Sequence, residues 1–383
     1  MRVYNVGIIG CGVISRTYAG DIRAFYPELR VAACADINLN LAKKLADEFG
    51  IPRACTTEEL LGDSAIDIVL NLTPPQFHVA LDRQIIAAGK HLFSEKPFAP
   101  NVAQAREVLA LAAQKGVMVG CAPDTFLASG LQSVRWYLDA GLIGRPFFVT
   151  ANMTTFGVET WHPSPESFYS RGSGPQYDMA PYYLSAIVGL LGPIESIAAY
   201  NTCGLENRRI YVGPRAGSDL RAEVPTHYTA IMRLASGVLV NLNVSYDIYR
   251  SNLPMFEIYG DGGTLAYPDP NFGGGAPKVY RKEQLTDPVY RDTLEAKDRS
   301  RTFYELPELF PRPKDYSRGI GVLDLAKAIE TGGKNRANGE LIVHITEAIE
   351  GLMISSESGA FYRMTTTCER PEPIMPGGAP DEI

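Results

Sequence analysis

No two of the six cysteines stand as C-x-x-C. Cys11, Cys34, Cys55, Cys121, Cys203 and Cys368 are scattered over 383 residues. That excludes a zinc-ribbon or disulfide framework and predicts reduced, mostly buried thiols in a cytoplasmic protein. No stretch is strongly basic and the net charge is −7, so neither nucleic acid nor an anionic membrane surface is an expected partner. No apolar run approaches the roughly 18–20 residues of a membrane-spanning helix. The N-terminus "MRVYNVGIIGCG" runs at once into a strand and a glycine turn, without the charged region and cleavage site of a secretory signal. There is no internal repeat, no concentrated arginine cluster for a phosphate, and no metal site is expected.

What is present is ample apolar material, 45% of the residues, enough for two domains. The first third alternates strand and helix. "VYNVGIIG" (3–10), "LRVAACAD" (29–36) and "IDIVLNLT" (66–73) are continuous runs, as strands buried on both faces require. Between them "LNLAKKLADEFG" (39–50) spaces Leu41, Leu45 and Phe49 at helical intervals and ends on Gly50. Repeated β-α units imply a doubly wound parallel sheet over residues 1–124. From 125 to 365 the pattern shifts to long strands, with a hairpin turn in "LASGVLV" at Gly237. This predicts an α+β domain built on a large, mostly antiparallel sheet with one open face, and a helix near 177–191. Residues 270–318 read as loops and 366–383 as a Pro/Gly-rich, frayed tail.

"GIIGCGVIS" (7–15) contains G-x-G-x-x-S between the first strand and the first helix. Gly10 permits the tight turn, Gly12 lets the backbone approach a pyrophosphate, and the helix start offers free N–H groups and a positive dipole end. Gly10, Cys11, Gly12, Val13 and Ile14 are therefore candidate cofactor residues. The second strand ends in Asp36, and 36 − 12 = 24 residues separates it from Gly12, near the spacing at which an acid meets a ribose 2′-hydroxyl. Asp36 repels a 2′-phosphate and no arginine follows in "DINLN", which favours NAD over NADP.

Two further strand exits point to the same crevice. "NLTPPQFH" (71–78) places Thr73, Pro74 and His78 beside the cofactor, with His78 either touching the ribose side or serving packing. "SEKP" (94–97) follows the next strand. Lys96 can hold substrate hydroxyls and stabilise a developing alkoxide there, or it can form a salt bridge with Glu95 or a distant acid. The residues alone leave both open.

Together "GIIGCGVIS", "TPPQFH" and "SEKP" resemble the Gfo/Idh/MocA oxidoreductases over nearly the whole chain. The resemblance implies that Gly10, Gly12, Asp36, Thr73, Pro74, His78, Glu95 and Lys96 line the nicotinamide nucleotide, and that Lys96 also reaches the substrate. It implies a homodimer or homotetramer formed through the second domain's sheet. In "RGSGPQYDMAPYYLSAIVGLLG" (171–192), Asp178 matches the family's Asp, while Tyr182 stands where its catalytic His stands four residues later. Regular helical spacing would put both on one face. A free Tyr near pKa 10 is a poor base at neutral pH, so Tyr182 either works with Lys96 beside it or only hydrogen-bonds the sugar, with His162 as an alternative base. Trp161 and His162 in "ETWHPSPE" are further substrate-binding candidates. So is Asp124 in "CAPDTF", which either accepts substrate hydroxyls or caps a helix. The implied activity is NAD-dependent hydride transfer with a sugar, polyol, sugar acid or glycoside. A silent sugar sensor and transient use of retained NAD remain alternatives.

Overall fold

The computed structural model describes residues 1–286, 303–310 and 316–375. The chain forms two compact units. One comprises Met1–Ala128, Pro313–Glu347 and the chain end from Ile374; the other comprises Ser129–Arg312 and Ala348–Pro373. A single boundary after residue 124 therefore does not describe the chain, because the segment containing helix Ile320–Thr331 returns to the first unit. The reason is apolar: Val322, Leu323, Leu325 and Ala326 join the core formed by Tyr4, Ile8, Tyr18 and Phe93.

In the first unit, β1 (Tyr4–Ile9), α1 (Val13–Phe25), β2 (Leu29–Ala35), α2 (Leu39–Phe49), β3 (Ala54–Cys55) and α3 (Thr57–Leu61) follow one another. Then come β4 (Ile68–Asn71), α4 (His78–Ala87), β5 (His91–Ser94), α5 (Val102–Lys115) and β6 (Val119–Cys121). The strands form one parallel sheet in the order β3-β2-β1-β4-β5-β6. β4 is buried at all four residues, as a strand covered by helices on both faces must be. The order reverses direction between β1 and β4, the switch point at which such sheets open a crevice at the carboxyl ends of their strands. Local signals agree with the ladder. Asn38 caps α2 by accepting the Asn40 N–H, and Gly50 ends it at φ 67°; Asn101 and Gly116 do the same for α5.

The second unit begins with α6 (Ser129–Asp139) and β7 (Pro146–Thr154), followed by α7 (Pro175–Asp178), α8 (Ala180–Leu191) and β8 (Ile194–Thr202). β9 (Asn207–Arg209) and β10 (Asp219–Arg221) pair as a small hairpin. The remaining strands are β11 (His227–Leu234), β12 (Leu239–Ser245), β13 (Phe256–Gly260), β14 (Gly263–Tyr267), β15 (Lys278–Arg281), β16 (Tyr304–Glu305) and β17 (Tyr362–Arg363). The nine-stranded order is β16-β15-β14-β13-β7-β12-β11-β8-β17, antiparallel except for the central β7/β12 pair. β11 and β12 turn at Gly237, φ 87°.

Register gives the sheet one buried and one open face. Rows such as Ala198–Ile231–Asn241–Thr150–Glu257 run across the open face, with Ile231 60% exposed. Two expectations change. Residues 270–318 include β15, β16 and a short helix Glu283–Thr286, while 287–302 and 311–315 lie outside the described residues. The supposed tail is anchored as far as Ile374: Arg135 donates to the Pro371 carbonyl at 2.8 Å, Arg370 pairs with Asp139, and Cys368 and Ile374 are buried. Residues 376–383 lie outside the described residues.

Candidate functional site

The glycine turn is built from backbone bonds. Gly10 donates to the Ala35 carbonyl at 2.9 Å, and Cys11 donates its N–H to Asp36 Oδ2 at 2.8 Å. Asp36 Oδ1 accepts from the Asn38 N–H at 2.8 Å. The acid at the end of β2 is thus locked against the turn at the end of β1. The two glycines differ in purpose. A Cβ on Gly10, φ 97°, would lie 2.6 Å from the Leu72 carbonyl carbon, whereas one on Gly12 would meet nothing within 4 Å. Gly10 is required by the fold itself; Gly12 keeps space clear for something else. The N-terminus of α1 opens onto that space with neither a capping side chain nor an acid in its first turn, so its orphan N–H groups and positive dipole end suit a phosphate anion. Val13, 75% exposed, forms an apolar lip beside it, with Ile14 partly buried behind. These residues fit a dinucleotide.

The exits of β4 and β5 stand next along the sheet. Thr73 Oγ1 donates to Asn71 Oδ1 at 2.6 Å, and Pro74 is exposed. His78 lies between the two exit loops. It is buried, with Nδ1 2.8 Å from the Pro97 carbonyl and Nε2 2.7 Å from the Thr73 carbonyl. The ring thus stands between the carbonyls of the two exit loops, and burial lowers its pKa. Glu95 is also buried. Its Oε1 accepts from the Tyr18 hydroxyl at 3.0 Å and its Oε2 from the Lys96 N–H at 2.9 Å. Burial, then the charges of Glu95 and Asp124, push the Tyr18 phenol well up, so Tyr18 remains a donor. Lys96 itself is partly exposed.

Asp124 is placed differently from the substrate-facing role considered above. It is fully buried, and its Oδ2 accepts the N–H groups of Gly319 and Gly321, both at 3.0 Å. It caps the helix Ile320–Thr331, nearly two hundred residues downstream in sequence. Burial raises its pKa.

Asp178 and Tyr182 fall in the second unit on either side of a break. α7 ends at Asp178, Met179 departs to φ −114°, and α8 begins at Ala180. Pro181 supplies the cause, because it lacks the N–H that a continuous helix would donate to the Tyr177 carbonyl. The single regular helix expected over 177–191 is therefore two helices. Asp178 is half-buried and accepts from the Tyr246 hydroxyl. Tyr182 is buried, and its N–H bonds back to Met179 at 3.2 Å. Tyr183 points into packing, donating to Asp269 at 2.9 Å. Trp161 is 63% exposed and meets His162 edge-on at 5.4 Å between ring centres, with Phe168 completing the aromatic group. His162 Nδ1 accepts the Ser164 N–H at 3.1 Å.

Among the described residues no helix is long and apolar enough to cross a membrane. A family model described as "Oxidoreductase family, NAD-binding Rossmann fold" matches residues 4–122, and one described as "GFO/IDH/MocA C-terminal domain" matches residues 131–266. The chain belongs to the GFO/IDH/MocA family. Curated relatives that it matches are named as dehydrogenases and reductases. Among its GFO/IDH/MocA relatives, a D-xylose dehydrogenase from Paenarthrobacter nicotinovorans is 24% identical over 234 residues, 58% of this chain and 59% of that enzyme. A 1,5-anhydro-D-fructose reductase from Ensifer adhaerens is 26% identical over 267 residues, 68% of this chain and 74% of that enzyme. For two of the curated relatives, the chain spans only 54% and 59% of their length. A solved structure of levoglucosan dehydrogenase with NADH and levoglucosan shares the fold, at TM-score 0.76 and 19% identity, covering 95% of this chain and all of that one.

Sequence reasoning passed over Tyr18 and Tyr246. Tyr18 looks like one more apolar residue on the buried face of α1, and its partner Glu95 lies 77 residues away. Tyr246 stands 68 residues from Asp178. No local pattern signals either pairing.

Proposed function

We propose that the protein oxidises a secondary alcohol of a sugar, polyol, sugar acid or glycoside, or runs the reverse reduction, and that it uses NAD in preference to NADP. The observation that carries this reading is the cleared, uncapped start of α1 beside Asp36, at the same sheet edge as Glu95–Lys96. Asp36 presents a carboxylate where a 2′-phosphate would have to sit, and like charges disfavour that occupant. Gly10, Cys11, Gly12, Val13, Ile14 and Asp36 hold the nucleotide, with Thr73 and Pro74 beside it and Glu95 bracing Lys96. When bound, nicotinamide supplies the hydride acceptor. The Lys96 ammonium stabilises negative charge developing on the substrate oxygen. In the second unit Tyr182 is the group assigned to take the hydroxyl proton, and Asp178 the one assigned to accept a hydrogen bond from an adjacent hydroxyl. Trp161 offers a flat apolar face to a sugar ring, with His162 at its edge. The carbohydrate substrates in the names of several relatives support this substrate class.

The decisive test is NADH formation over a panel of sugars, inositols, sugar acids and glycosides, with wild type, Lys96→Ala and Tyr182→Phe side by side. Turnover by wild type with loss in both variants supports the reading. Tyr182→Phe acting at the wild-type rate moves the base to His162. Binding without any net NAD reduction favours transient redox or a sensor.

The open face of the nine-stranded sheet suits a second copy of the chain. It mixes Ile231 with Asn241, Thr150 and Glu257, the polar and apolar mixture of a wet interface. We infer a homodimer or homotetramer formed through this face; light scattering that finds only monomer at micromolar concentration overturns this.

A further inference from the structure

Asp178 is held by a buried assembly that reaches across the second unit. The Tyr246 hydroxyl donates to Asp178 Oδ2. Burial, then the Asp178 charge, keep that phenol well above its ordinary pKa, so it serves as a donor. The Tyr246 carbonyl accepts from Arg208 Nη1 at 3.2 Å and from the Gly157 N–H at 2.8 Å. Arg208, on β9, has a side chain only 1% exposed. It also donates to Glu159 Oε1 at 2.9 Å, to the Tyr169 hydroxyl at 3.3 Å, to the Leu205 carbonyl at 3.1 Å and to Asp247 Oδ1. Its guanidinium lies 4.7 Å from the centre of the Tyr169 ring. Tyr169 closes the loop by donating to Glu159 and accepting the Val158 N–H at 3.0 Å.

One cation therefore grips three separate segments. Glu159 lies in the turn before Trp161, Arg208 comes from the β9/β10 hairpin, and Asp247 and Tyr246 follow β12. Backbone bonds reinforce the grip: Tyr211 donates to the Glu159 carbonyl at 3.0 Å and Glu223 to the Tyr169 carbonyl at 2.8 Å. A planar guanidinium with five fixed donors can satisfy this many partners at once; an ammonium cannot. Buried pairs of this kind cost more in desolvation than an apolar replacement would, so their return lies in fixing geometry.

We propose that Arg208 and Tyr246 are positioning residues for Asp178, the arginine clasping the two loops at 157–169 and 205–223 and the tyrosine holding the carboxylate in a single orientation. This rests on the reading of Asp178 as a substrate-binding carboxylate. Loss of a hydrogen bond to a charged group corresponds to roughly 10- to 100-fold in an equilibrium or rate.

The test is a double-mutant cycle on kcat/KM with Tyr246→Phe and Asp178→Asn, run on the full chain with its best substrate. Tyr246→Phe removes one oxygen and keeps the ring, and NAD affinity serves as the control for an intact first unit. The expected result is a 10- to 100-fold loss in Tyr246→Phe with unchanged NAD affinity, and a double variant no slower than Asp178→Asn alone. Arg208→Lys is expected to raise the substrate KM while leaving NAD affinity unchanged. Additive losses in the cycle, or Tyr246→Phe at the wild-type rate, overturn the inference while leaving the Asp178 reading intact. Asp178→Asn at the wild-type rate overturns both.

Discussion

In the first unit, the residues assigned to the nucleotide stand at the carboxyl ends of neighbouring parallel strands: the glycine turn after β1, Asp36 after β2, Thr73 after β4 and Glu95–Lys96 after β5. Their arrangement follows from strand order and backbone bonds. In the second unit, Asp178, Glu159, Arg208 and Asp247 come from a helix end, a turn, a two-strand hairpin and a strand exit. They meet through side-chain bonds that span 39 to 68 residues of sequence. The first arrangement should tolerate loss of a single side chain without losing its framework. The second depends on one arginine.

The largest expected contrast tests that directly. Arg208→Met leaves Glu159 and Asp247 buried without their counter-charge, and should cost about 3–5 kcal/mol. Tyr18→Phe, which removes one hydrogen bond from Glu95 in the first unit, should cost about 1–3 kcal/mol. Urea midpoints at matched m-values measure both; equal losses would break the comparison. Next in size is catalysis. Lys96→Ala should lower kcat about 10²–10³-fold with the urea midpoint unchanged, because Lys96 is partly exposed and Glu95 keeps its bond to Tyr18.

A third test concerns pH. Asp82 is buried beneath the β4 and β5 exits, accepting from Asn71 at 2.7 Å and Ser94 at 3.0 Å. Burial raises its pKa to about 7, against the pull of those two bonds. An unfolded Asp titrates near 3.9, so the folded state holds the extra proton between about pH 4 and pH 7. Its contribution to stability is present at low pH and lost as pH rises to about 7. Between pH 5 and pH 8, wild type should therefore lose roughly 2–3 kcal/mol relative to Asp82→Asn. Parallel pH profiles for the two proteins would refute this.

The smallest expected effect separates the two glycines. Gly12→Ala adds a Cβ that touches no protein atom, so the melting temperature should hold while NAD affinity falls about tenfold, or 1.4 kcal/mol. Gly10→Ala forces a Cβ against Leu72 at a positive φ and should lower both. Calorimetry and cofactor titration distinguish them.

Legibility followed the same division. The strands of the first unit, the glycine turn and the E-K-P exit could be read because each depends on residues a few positions apart. His78 and Asp124 could not be assigned, since a carbonyl 19 residues away and a helix start 195 residues away decide their roles. The helix at 177–191 was read through Pro181, whose missing N–H breaks it. Tyr246 and Arg208 carry no short-range signature at all.

The bare start of α1 has a further consequence. A helix that begins without a cap leaves part of its own hydrogen-bond complement to be supplied from outside. A nucleotide bound there is then a structural component, and the folded population is linked to its supply. At a hundred times its Kd, a ligand that binds only the folded state adds about 2.7 kcal/mol. Cells rich in the dinucleotide would keep this protein longer, and depletion would expose it first to proteolysis.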